Sequence, residues 1–251
     1  MRDSLKDKVA LVTGAGRGIG FAIAQALGQE GVWIGLNDLY PAEAEHAAGV
    51  LNAAGVRAIP VPGNVTIGRD ADAMVDCVEK AFGRLDILVN NAGVLRPTRA
   101  EAIADEEWDF VVNGNLRSTF LCCRAAIPAL RRAGGGSIVN MSSSAGKSVS
   151  TIGGVHYTAA KAGVLGLTRH LARELAFDQI RVNTVCPGLI DTEMVRSTIP
   201  QQKIDAYAAS CPARRLGLPG EVADLVVFLA SANASYITGA SCDVNGGDLT
   251  I

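Results

Sequence analysis

No run of this 251-residue chain is apolar for long enough to cross a bilayer as a helix. Residues 1–8 mix charged and polar groups and hold no apolar signal region, so a cytoplasmic location without a membrane partner is expected. The six cysteines (Cys77, Cys122, Cys123, Cys186, Cys211 and Cys242) show no C-x-x-C spacing, which argues against a dithiol redox motif or a thiolate zinc site. Buried free thiols are the expectation. The three histidines form no H-E-x-x-H or similar set, and no metal is expected. Charge of one sign is also missing: 23 basic residues against 25 acidic ones give a net charge of −2, so no electrostatic footprint for nucleic acid is visible. Nor is there a linker, repeat or low-complexity segment to divide the chain, and residues 1–251 read as one domain.

What is present is a compact composition, 49% hydrophobic and 19% charged, with 28 glycines. Short apolar runs alternate with longer helical ones. Strands are expected at 9–12, 32–36, 56–61, 85–89, 137–141, 180–185 and 241–244. Helices are expected at 19–30, 42–54, 70–82, 105–132, from Tyr157 to about 176, and 221–231. Strands and helices in this alternation require right-handed crossovers and a parallel sheet covered on both faces. The fold class is therefore α/β: a single doubly wound domain of Rossmann type, with a seven-stranded parallel sheet and helices on both faces. Its ligand belongs in the crevice at the carboxyl ends of the strands.

Thr13-Gly14-Ala15-Gly16-Arg17-Gly18-Ile19-Gly20 follows the first strand and opens the first helix. Glycines there let the backbone turn tightly and approach a pyrophosphate, which meets the positive end of the helix. The spacing is T-G-x-x-x-G-x-G rather than G-x-G-x-x-G. Asp38 closes the second strand, 18 residues past Gly20. A carboxylate there accepts hydrogen bonds from both adenosine ribose hydroxyls and repels a 2′-phosphate, and Leu39 follows it where an Arg could have held that phosphate. NAD is thus expected over NADP, with Arg17 in the turn as the counter-indication.

Tyr157 and Lys161 stand four apart on a helix and share one face. A free tyrosine, with a pKa of about 10, is a poor base at neutral pH. An ammonium nearby favours the phenolate, so Lys161 is expected to lower the Tyr157 pKa.

Together these motifs resemble the short-chain dehydrogenase/reductase family over nearly the whole chain. The resemblance rests on Thr13 to Gly20, Asn90-Asn91-Ala92-Gly93 after the fourth strand, Ser143 after the fifth, Tyr157 with Lys161, and Pro187-Gly188 after the sixth. It implies that Tyr157 is the general acid/base and that Lys161 holds the nicotinamide ribose. It implies that Ser143 orients the substrate oxygen, and that Asn115 holds a water linking Lys161 to solvent. Ser143 is preferred because Gly146 stands three residues on, with Ser144 the alternative. Asn115 is preferred to Asn113 by its spacing from Trp108. Asn64 and Val65 would meet the adenine, Asn91, Ala92 and Gly93 would pack the cofactor, and Ile190 and Thr192 would meet the nicotinamide carboxamide. Residues 94–99, 147–156 and 192–207 would close the substrate pocket, among them Arg96, Arg99, Lys147 and His156.

The implied activity is hydride transfer between NAD(H) and a secondary alcohol or ketone. A small sugar, polyol or hydroxy compound is the first expectation and a 3-oxoacyl-acyl-carrier-protein reductase the alternative. Arg131 and Arg132 would offer the latter part of a basic docking face for an acidic carrier. An NAD-binding sensor without turnover is a third reading, and the family's epimerase branch a fourth. The resemblance also implies a homotetramer.

Overall fold

A computed structural model describes residues 5–250; residues 1–4 of the polar N-terminal stretch lie outside them. The strands are β1 (Val9–Val12), β2 (Trp33–Leu36), β3 (Ala58–Pro60), β4 (Ile87–Asn90), β5 (Gly136–Met141), β6 (Ile180–Pro187) and β7 (Ser241–Val244). All pair in parallel in the order β3-β2-β1-β4-β5-β6-β7. Strands buried on both faces must be apolar throughout, and every side chain of β1 and β4 is buried. Asn90 is the polar exception within β4, and Asp86, just before that strand, anchors this centre. It is buried beside β4 and accepts hydrogen bonds from the Val9 amide, Lys8 Nζ, and Arg84 Nε and guanidinium nitrogen.

Helices cover both faces. Ile23 and Leu27 of α1 (Gly18–Gln29), Leu51 of α2 (Pro41–Ala53) and Val226 of a late helix (Pro219–Ala230) share one core. Met74 and Val78 of α3 (Gly68–Phe82) form the other with Leu121 and Leu130 from residues 118–132 and Leu171 from the helix that holds Tyr157. Full burial of such a side chain is worth roughly 1.5–3 kcal/mol.

The stretch 105–132, expected as one helix, has three parts. These are α4 (Asp105–Val112), a π turn (Asn113–Arg117) and α5 (Ser118–Arg132). The path stays continuous, so apolar periodicity alone does not show the break. β3 is shorter than expected and lies at the sheet edge, where Pro60 is tolerated because no further strand needs its missing N–H. After α6 (Val155–Glu174), residues 193–210 hold two further helices, α7 (Glu193–Thr198) and α8 (Gln201–Ser210), ahead of α9 (Pro219–Ala230). Ile199 and Ile204 pack with Leu189, and Ile152 and Tyr207 lie against them, so this cap has its own small apolar centre.

Candidate active site

The strand order reverses between β1 and β4, and the loops leaving these two strands are knitted together. Thr13 Oγ1 accepts the amides of Asn91 (3.0 Å) and Ala92 (3.1 Å), while Asn91 Nδ2 donates to the carbonyls of Thr13 and Gly14. Gly14 and Gly18 have φ of 59° and 60°, a region that disfavours side chains. A Cβ on Gly20 would meet the Gly14 carbonyl oxygen and come within 2.5 Å of Asn91 Nδ2. The partly buried side chains of Ile19 and Val65 pack against the two cores.

Asn37, not singled out in the sequence, is buried at the end of β2. Its Oδ1 accepts the Gly14 amide and its Nδ2 reaches the Val61 carbonyl. Its signal was a polar residue closing an apolar strand. The neighbouring Asp38 accepts the amides of Gly16 (3.2 Å) and Tyr40 (3.1 Å). Arg17 turns instead to Glu193 at 3.7 Å, both side chains exposed. Asn64 closes a turn, accepting from the amide and hydroxyl of Thr66. Across the crevice, Thr192 caps α7, and its methyl lies 3.7 Å from where a Gly18 Cβ would be. Ile190 is buried and bridges Gly217, so its side chain faces the core. Pro187 ends β6, and Gly188 passes so close to Tyr207 that a Cβ would lie 2.7 Å from the hydroxyl. A tight glycine cradle at a helix start, with a carboxylate at the next strand end, fits a dinucleotide cofactor.

Ser143, Tyr157 and Lys161 converge at the ends of β5 and α6. The Ser143 side chain lies beside the Tyr157 phenol, near enough to favour its charged form. Ser142 faces away, donating to the Lys161 carbonyl at 2.7 Å, and Gly146 permits this approach, since its Cβ would lie 2.7 Å from that same oxygen. Lys161 is buried, its Nζ 5.7 Å from the centre of the Tyr157 ring and 2.9 Å from the Met141 carbonyl. Burial lowers the Lys161 pKa from 10.5 to about 8. Burial also raises that of Tyr157, against the opposing influence of Ser143. The lowering expected from Lys161 is not seen: burial sets the direction for Tyr157, and Ser143 alone opposes it.

Asn115 lies in the π turn, fully buried, and donates to the carbonyls of Val94 (2.7 Å) and Val111 (2.8 Å). Its Oδ1 has no hydrogen-bond partner among the described residues. A Cβ on Gly93 would stand 2.7 Å from that oxygen and 3.5 Å from Lys161 Nζ, so Asn115 rather than Asn113 joins the site.

Two residues expected at the substrate pocket point elsewhere. Lys147 binds Asp243 (2.8 Å) and the Ser241 carbonyl on β7, and His156 is fully buried against Glu107. Arg96 stacks over Phe110, and Arg99 lies 3.6 Å from Glu101. On the far side of the sheet, Arg131 pairs with Asp178 and Arg132 with Glu79, so neither leaves its charge unmatched. No helix among the described residues is long and apolar enough to cross a membrane.

A fold and site of this kind define a nicotinamide-dependent oxidoreductase acting on CH–OH or keto groups. A family model described as enoyl-(acyl carrier protein) reductase matches residues 14–248, and the chain belongs to the short-chain dehydrogenase/reductase family. It is 41% identical to the 3-oxoacyl-acyl-carrier-protein reductase FabG of Staphylococcus aureus (strain Mu50) over 96% of this chain and 97% of that one. The FabG of Vibrio cholerae is 40% identical, with 97% and 98% covered. Two solved structures from Brucella melitensis are also similar. A 3-oxoacyl-acyl-carrier-protein reductase superposes with a TM-score of 0.91 at 40% identity, covering 97% of this chain and 92% of that one. A second, with bound NAD, gives 0.88 at 38% identity and the same coverage.

Proposed function

We propose that the chain interconverts 3-oxoacyl and 3-hydroxyacyl thioesters with NAD(H). The carrying observation is the 41% identity, over almost the full length of both chains, to a 3-oxoacyl-acyl-carrier-protein reductase. The first expectation from sequence, a small sugar or polyol, becomes the second reading. It keeps one observation in its favour: Arg131 and Arg132 are paired with acids and offer no free positive face to an acidic carrier.

In the proposed mechanism the bound nicotinamide supplies the hydride. The Ser143 hydroxyl orients the substrate carbonyl oxygen, and the adjoining Tyr157 phenol gives it a proton. The Lys161 ammonium, on the same helix face, stabilises the phenolate left behind and holds the nicotinamide ribose hydroxyls. The unsatisfied Asn115 Oδ1, beside Lys161 across Gly93, accepts from a water that returns the proton.

Preference for NAD is part of this reading. It is supported by Asp38 at the ribose position, by Arg17 turning to Glu193, and by the NAD-bound relative. A homotetramer is proposed as well, supported by the exposed Phe110, Phe120 and Phe228 on α4, α5 and α9.

The test follows NADH absorbance with a 3-oxoacyl thioester as acceptor. Turnover by the natural chain, lost in Tyr157→Phe while NADH still binds, supports the reading and removes the non-catalytic sensor. No turnover with NADH bound directs the search to sugars, polyols and other secondary alcohols.

A further inference from the structure

His156 precedes the tyrosine, is completely buried, and plays no part in the mechanism above. Its ring is held on both sides. Nε2 lies 3.0 Å from Glu107 Oε1 on α4. Nδ1 accepts the backbone N–H of Tyr157 at 3.0 Å, a hydrogen that Tyr157 shares with the Gly154 carbonyl at 3.1 Å. A nitrogen that accepts an N–H carries no proton, so the hydrogen bonds require a neutral ring with its proton on Nε2, donated to Glu107. The recess is shaped for this ring. A Cβ on Gly154 would lie 2.7 Å from His156 Cε1 and 2.9 Å from Nδ1, and the Trp108 ring centre stands 6.4 Å away. Thr98, in the loop of residues 94–99, lies beside Glu107, and the Gly154 amide donates to the Arg96 carbonyl of the same loop at 2.8 Å.

We infer that His156 is a positioning residue for Tyr157. Locked as the Nε2–H tautomer between the Tyr157 amide and Glu107, it ties the start of α6 to α4 and to the substrate loop, and so fixes where the phenol stands.

The inference rests on the proposed role of Tyr157, so that role is checked separately. The groups around the ring are Glu107 on α4, Arg96 and Thr98 in the loop, and Tyr157 on α6. Asparagine keeps an acceptor at the Nδ1 position but loses the donor to Glu107, whereas phenylalanine loses both.

The expected result is a kcat about tenfold or more lower in His156→Phe, with the NADH Kd unchanged. His156→Asn should recover part of that loss, because it keeps the acceptor for the Tyr157 amide and loses the donor to Glu107. Equal impairment of the two variants, or a natural kcat in His156→Phe, overturns the inference. An independent readout covers the case in which His156→Phe does not fold. Nitrogen-15 imidazole spectra of the natural chain contain only three histidines, and His46 and His170 are exposed. The third, buried ring should be the Nε2–H tautomer, with no proton on Nδ1. A buried ring protonated on Nδ1 refutes the assignment. Activity surviving in Tyr157→Phe would instead refute the acid/base reading and leave the tautomer result standing.

Discussion

Lys161 hangs from the last carbonyl of β5: its Nζ donates to Met141 at 2.9 Å, two residues before Ser143. The ammonium is therefore held at the reacting end of the sheet at the expense of its hydration. With its pKa lowered from 10.5 to about 8, keeping Lys161 charged at pH 7 costs roughly 3 kcal/mol of folding stability at 1.36 kcal/mol per unit. The folded chain binds fewer protons than the unfolded one between these values, so the penalty is full below pH 8 and is relieved as pH rises towards 10.5. Lys161→Met should lose activity yet melt higher at pH 7 by roughly 5 °C. That advantage should shrink by pH 10. Calorimetry at both pH values checks it, and an equal or lower melting temperature at pH 7 contradicts it.

Ser143 and Ser144 are separated by their contacts. Ser143 reaches the Tyr157 phenol and accepts the Ala145 amide, while Ser144 begins the single 3₁₀ turn that follows. Loss of a donor to a developing oxyanion costs about 10²–10³ in kcat. Ser143→Ala should fall in that range, with Ser144→Ala within about threefold of the natural rate on the same scale. Steady-state kinetics decides between them, and a near-natural rate in Ser143→Ala ends the assignment.

Asp38 sets the cofactor preference in the proposed reading. Removing its carboxylate takes away hydrogen bonds worth about 1.5–3 kcal/mol each and the repulsion of a 2′-phosphate. Asp38→Ala should weaken NADH binding by roughly tenfold or more and narrow or reverse the preference over NADPH. Fluorescence titration with both nucleotides measures it; an unchanged ratio removes the ribose role.

Two glycine-to-alanine changes should act in opposite directions. Gly20→Ala drives a methyl against the Gly14 carbonyl oxygen and to within 2.9 Å of Ala15 Cα, so the nucleotide turn must move. A loss of about 1–3 kcal/mol of stability, with weaker NADH binding, is expected. Gly49, on α2, has open space where a methyl would stand, with nothing within 4 Å, and Gly49→Ala should stabilise by about 0.5–1 kcal/mol. Thermal melts with and without NADH report both.

The sheet was legible because its buried central strands are apolar runs, as in Val9–Val12 and residues 87–89 of β4. The proposed reactive residues could be singled out because Tyr157 and Lys161 share one helix face and Ser143 follows a strand. What escaped the sequence depends on direction in space. Lys147 and His156 lie in segments that flank the pocket, yet one is drawn off by Asp243 and the other by Glu107. The π turn around Asn115 keeps helical composition, so only its i→i+5 bonding reveals it. Asn37 serves the glycine turn through side-chain bonds to loops 23 and 24 residues away.

The strand order also bears on how the chain is made. β1 lies between β2 and β4, and its last sheet partner ends at Asn90. A chain leaving the ribosome therefore has the glycine turn, Asp38 and both strands flanking β1 before α6 has been translated. Tyr157 and Lys161 enter the chain later, on α6, which joins β5 to β6 on the open side of β4.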